Sequence, residues 1–113
     1  MTHKEILDEL RQPVRDLREH TPAVFERYGA LNAAAMGDGA LDAKTKERIS
    51  LAISVTKQCD GCIASHPGGA ARRGATAEEV AEVLGVAVLM NGGPGTVHAP
   101  RAFEAFREFA PDR

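Results

Sequence analysis

The sequence predicts an all-α protein, and three observations carry that expectation. Apolar residues recur at intervals of three and four along nearly the whole chain, runs of β-branched residues bounded by turn signals are scarce, and Pro, Gly, Asp and Thr fall where helices start and stop. At 113 residues the chain is read as one domain, 1–113, with residues 1–20 as an N-terminal helical extension. Five to six helices account for it.

Ile6, Leu7, Leu10, Val14 and Leu17 form the apolar stripe of a first helix, with Pro13 expected to bend or break it. Thr21-Pro22 supplies a cap and a first-turn proline for a second helix, which runs through Val24, Phe25, Tyr28 and Leu31 to the glycines at 37 and 39. Asp42 caps a third helix of about fourteen residues. Ile49, Leu51, Ala52, Ile53 and Val55 leave it one polar stripe, Glu47, Ser50, Ser54 and Gln58, so it is expected to be buried on most sides. The stripe then faces solvent or a polar cavity.

A fourth helix is expected from near Cys59 to Gly74, irregular in its middle at Pro67 and Gly68-Gly69. Thr76 and Glu79 have capping-box spacing for a fifth, in which residues 83–90 are apolar on every face and need cover from more than one side. Residues 91–95, Asn-Gly-Gly-Pro-Gly, read as a loop, and Phe103, Phe106 and Phe109 line one side of a last helix. So much apolar surface on a small chain predicts a homo-oligomer built through the later helices.

Composition narrows the function. Hydrophobic residues make up 43% and charged residues 27%, and no apolar run is long enough to span a membrane. A net charge of −2 with 4% aromatic residues offers neither a phosphate-attracting surface nor base-stacking side chains, which excludes nucleic acid as an expected partner. The first twenty residues alternate charged and apolar positions and lack a secretory signal, so the chain is expected to be cytoplasmic.

The stretch QCDGCIASH, residues 58 to 66, holds both cysteines of the chain. On a helix Cys59, Cys62 and His66 share one face, with His66 one turn beyond Cys62 and so better placed to take its proton. The thiolate attacks peroxides and disulfides, and a helix N-terminus and an imidazole both favour it. One cysteine can attack while the other resolves the product into an internal disulfide, a cycle that needs an external reductant but neither metal nor organic cofactor. A purely structural disulfide closing so short a loop gains only about 2 kcal/mol. A zinc site would need a fourth ligand from His98, His20, His3 or a carboxylate. Haem attachment fails because Ile63 stands where a histidine would be required. Glu47, between Lys46 and Arg48, reads from pattern alone as a solvated helix charge.

Glu47, Cys59, Cys62 and His66, in the order E-x11-C-x2-C-x3-H, with the glycine pair at 92–93 and the AFEAFREF helix, resemble the alkylhydroperoxidase D-like branch of the carboxymuconolactone decarboxylase family. The resemblance spans about residues 25 to 110, nearly a whole small family domain. It implies an all-helical fold assembling as homotrimers or homohexamers, and thiol peroxidase or disulfide reductase activity on a hydroperoxide, recharged by a dithiol protein of thioredoxin-like or lipoyl-bearing type. It also implies roles: Cys62 attacks, Cys59 resolves, and His66 with Glu47 forms a proton relay. The decarboxylase branch lacks the cysteine pair. One departure stands out, since Gly61 occupies the place of an additional histidine in the best-studied pattern. The relay is shorter by one member, and general disulfide exchange is as open as peroxide reduction.

Overall fold

The computed structural model describes residues 1–112, and their regular structure is entirely helical: α1 (His3–His20), α2 (Pro22–Met36), α3 (Ala43–Lys57), α4 (Asp60–Arg72), α5 (Ala77–Asn91) and α6 (Gly93–Phe109). The helix starts fall at their sequence signals, although Thr21 at the start of α2 makes no side-chain cap bond and Pro22 alone marks that first turn. The Asp42 carboxylate accepts from Thr45 N at 2.7 Å to open α3. Thr76 and Glu79 complete a reciprocal capping box at α5, at 3.2 and 2.9 Å.

α4 is the central element, packed against α1, α3 and α6. Ile63 of α4, Leu51 and Val55 of α3, Val80 and Leu84 of α5 and Phe106 of α6 belong to one buried core cluster, completed by alanines. Residues 67–71 of α4, Pro-Gly-Gly-Ala-Ala, are all buried. Side chains that small let neighbouring helices approach the α4 backbone closely.

α1 lies across α4, and its start is fastened to α6. Glu108 accepts from the backbone N–H groups of His3 and Lys4 at 3.1 and 3.4 Å, and His3 Nε2 lies 2.9 Å from Glu104 Oε1. Two free donors of the first helical turn are thus met by a carboxylate from a different helix, and a third, Glu5 N–H, donates to Thr2 Oγ1 at 3.1 Å.

The structure departs from the sequence expectations in four other places. Pro13 does not break α1: the hydrogen bond it forfeits belongs to an exposed turn, where water can replace it. Pro67 and Gly68-Gly69 do not interrupt α4, because burial of this segment between α3 and α6 outweighs one lost helical bond. The end of α4 is as expected: Gly74, just past Arg72 and Arg73, lies in the left-handed region at φ +81°, its N–H bonds Ala71 O at 3.0 Å and that of Ala75 bonds Ala70 O at 3.0 Å, the Schellman arrangement. The expected loop at 91–95 shrinks to Gly92, whose φ of 67° and ψ of −138° suit only glycine and turn the chain directly from α5 into α6.

The last departure concerns the apolar faces. Ile49 and Ile53 of α3 are 45% and 52% exposed while Glu47 and Ser54 are buried, so the polar stripe partly points inward and the apolar side partly outward. Ser54 is satisfied within its own helix, donating to Leu51 O at 2.6 Å. Within this one chain Val86, Leu89 and Met90 of α5 and Val24, Tyr28 and Leu31 of α2 are exposed.

Candidate active site

The turn between α3 and α4 places the cysteine pair. Gln58 ends α3 at φ 53°, a left-handed conformation uncommon for a side chain of its kind, and Cys59 follows in extended conformation as the N-cap of α4. The chain thus turns in two residues, and Cys62 lies in the first turn of the new helix. Cys59 and Cys62 are joined as a disulfide, with Cα atoms 5.2 Å apart. Cys62 N–H donates to Cys59 Sγ at 3.2 Å, so the sulfur of Cys59 sits at the positive end of α4. Both cysteines are half-buried.

His66, one turn beyond Cys62, faces back to α3. Its Nδ1 lies 2.9 Å from Glu47 Oε1, and the second carboxylate oxygen, Oε2, lies 3.6 Å from Arg73 Nη1. Glu47 is therefore no solvated helix charge, being only 7% exposed. A buried carboxylate is costly unless paired, and this one has an imidazole on one oxygen and a guanidinium near the other. An ionised carboxylate only accepts hydrogen bonds, so against it His66 carries its proton on Nδ1 and leaves Nε2 able to accept. The four residues singled out from sequence thus share one corner of α3 and α4.

Two residues at this corner were not singled out. Arg73 caps the end of α4, and Gly69 lies between it and His66. Continuing the helical spacing past His66 by three and then four positions was the available signal. It needed knowledge that Glu47 packs opposite.

At Gly61 a Cβ would lie 3.1 Å from Leu10 Cδ1 of α1, so the N-terminal helix packs over this side of α4. The histidines considered as further zinc ligands are elsewhere. His3 pairs with Glu104 on α6, His20 bonds Asp16 O at 2.9 Å in α1, and His98 lies on α6 with its Nδ1 buried and unpartnered. Among the described residues, the group of three potential metal ligands that lies closest together is His3, Glu104 and Glu108, which includes neither cysteine nor His66.

The sequence pattern of the carboxymuconolactone decarboxylase family matches residues 22–105. The chain belongs to that family. It is similar to the apo structure of a carboxymuconolactone decarboxylase family protein from Legionella pneumophila, at 42% identity and a TM-score of 0.92 over 96% of both chains. A Thermotoga maritima family member with a suggested involvement in antioxidative response is similar at 30% identity and a TM-score of 0.80, over 93% of this chain and 90% of that one. An uncharacterised protein of Cupriavidus necator is 38% identical over 103 residues, 91% of each chain. The expected family and all-helical fold are thereby borne out. No helix among the described residues is long and apolar enough to cross a membrane.

Proposed function

We propose that this carboxymuconolactone decarboxylase family member is a thiol-dependent oxidoreductase that reduces hydroperoxides through the Cys59–Cys62 pair, with His66 and Glu47 moving the protons. The observation that carries the reading is the juxtaposition on α4 of a disulfide-capable pair with an imidazole one turn away, itself held at 2.9 Å by a buried carboxylate. The antioxidative role suggested for the Thermotoga maritima relative points the same way.

In the cycle, His66 Nε2 accepts the Cys62 proton, and the resulting imidazolium is stabilised by Glu47. The thiolate attacks the distal oxygen of ROOH; the O–O bond breaks, RO⁻ takes the proton from His66 and leaves as ROH, and Cys62 becomes a sulfenic acid. Cys59 sulfur then attacks Cys62 sulfur. The S–O bond breaks, and hydroxide leaves as water with the proton that Cys59 gives up. One hydroperoxide has gained two electrons and two thiols have become one disulfide.

A dithiol protein, thioredoxin-like or lipoyl-bearing, returns the two electrons by thiol–disulfide exchange. The helix N-terminus favours Cys59 as the leaving thiolate, so the incoming thiolate attacks Cys62 and forms the mixed disulfide there. Such a cycle suits a reducing cytoplasmic setting, calls for no metal or organic cofactor, and treats neither nucleic acid nor membrane as a partner.

Replacing each cysteine tests the assignment. C62S abolishes hydroperoxide consumption, whereas C59S consumes one equivalent and stops with a sulfenic acid on Cys62, seen as a 16 Da gain. Unchanged consumption by C62S overturns the role of Cys62. The family's decarboxylase chemistry gives a second reading favoured by the Glu47–His66 pair, which can perform acid–base work on a lactone without thiols. Lactone decarboxylation retained in C59S/C62S would establish it.

A further inference from the structure

The stripe that carries Cys59, Cys62 and His66 does not end at the histidine. Three residues on lies Gly69 and four further Arg73, so five residues at alternating spacings of three and four run down one side of α4 to its C-cap. The Glu47 carboxylate is seated against the lower half of that stripe. Oε1 meets His66 Nδ1 at 2.9 Å and Oε2 lies 3.6 Å from Arg73 Nη1, while Gly69 forms the floor between them.

That floor is possible only without a side chain. A Cβ at position 69 would lie 2.6 Å from Glu47 Cδ and 3.1 Å from its Cγ, and closer still to Oε1. The obstacle would be the carboxylate itself, at the oxygen that His66 uses. Arg73 acts on the other oxygen. Its charge offsets the cost of keeping a carboxylate 7% exposed, and with His66 on one oxygen and Arg73 near the other, the carboxylate plane is held at both ends.

We infer that Gly69 and Arg73 are positioning residues of the thiol site: Gly69 leaves the space in which the Glu47 carboxylate reaches His66, and Arg73 holds that carboxylate in place. The inference rests on the Glu47–His66 relay proposed above. Neither residue touches a thiol. Each acts on Cys62 only through Glu47, and that route is what an experiment can isolate.

The experiment measures the rate of Cys62 alkylation by iodoacetamide across the pH range in which a thiol ionises. It uses the reduced protein in a C59S background, where Cys62 is the only thiol. E47Q, G69A and R73M each displace the rate profile to higher pH and slow alkylation near neutrality by about tenfold, and R73K stays near the parent. The combinations G69A/E47Q and R73M/E47Q are no slower than E47Q alone, because the group through which both residues act is already gone. A packing defect from G69A, or a direct effect of the Arg73 charge on the thiolate, would add to E47Q instead. The inference is overturned if G69A or R73M leaves the profile in place, or if either effect adds to E47Q. If E47Q itself leaves the profile unchanged, the relay falls and this inference with it; if E47Q displaces the profile and the other two do not, only this inference falls. R73M, at the partly exposed end of α4, decides the matter should G69A fail to fold.

Discussion

Glu47 is the residue at which local sequence and tertiary structure disagree most. Flanked by Lys46 and Arg48, it has the pattern of a surface charge, yet its carboxylate is buried between His66 and Arg73. Cys59, Cys62 and His66 were legible because their relation is local: spacings of three and four on one helix place them on one face whatever surrounds it. The partners of Glu47 were not, since His66 lies 19 positions away and only the close approach of α3 to α4 brings them together. Gly69 was legible only as a helix breaker, because its use is steric and depends on a side chain from α3. Pairing of the buried carboxylate has a measurable consequence. H66A leaves Glu47 with Arg73 alone and lowers stability by about 2 kcal/mol, the cost of a buried acceptor losing a hydrogen-bond partner. Denaturant midpoints of the reduced protein measure it, and H66A/E47Q should recover part of the loss. An H66A midpoint equal to the parent would mean that Arg73 alone satisfies the carboxylate.

Among the elements, helix starts were the most readable feature, since a cap is a contact between residues three apart. Asp42 and Thr76 open α3 and α5 as expected, and Glu79 adds ion pairs from α5 to Lys44 and Arg48 of α3. Helix interiors were less readable. Pro13 and Pro67 carry a local penalty, but one turn is exposed to water and the other is held by packing. The caps make acid sensitivity an element-scale property. The hydrogen bond from Thr45 holds the Asp42 carboxyl below its ordinary 3.8, and the Thr76 N–H followed by Lys44 holds Glu79 below its ordinary 4.5. Both carboxyls ionise more readily folded than unfolded. Their stabilisation is therefore complete above those ordinary values and is lost as the pH falls through the lower folded ones. Thermal midpoints should drop on acidification below 4.5 and 3.8, and less so in D42N, which keeps a capping side chain without an ionisable group. Equal acid losses in both proteins would remove Asp42 from this account.

At the scale of the whole molecule, the core joins α3, α4, α5 and α6, whereas α1 and α2 lie outside it and α2 has no buried residue. Apolar periodicity correctly predicted helices but not which faces stay uncovered within one chain. Tyr28 and Leu31 on α2, Ile53 on α3, and Leu89 and Met90 on α5 are all more than half exposed. Exposed apolar faces of this kind mark association sites, so the protein should be a homo-oligomer, and the family resemblance implies a homotrimer or homohexamer. Sedimentation equilibrium checks this, and a monomer at every concentration would contradict it. The Cys59–Cys62 pair sits at the start of α4, a helix packed against α1, α3 and α6. The most direct test of a Cys59–Cys62 redox cycle is a free-thiol count with intact mass on the reduced protein, before and after one equivalent of hydroperoxide. Both thiols should be lost and the mass should fall by two hydrogens, the Cys59–Cys62 disulfide in an otherwise unmodified chain. Two thiols still free while the peroxide persists would contradict it.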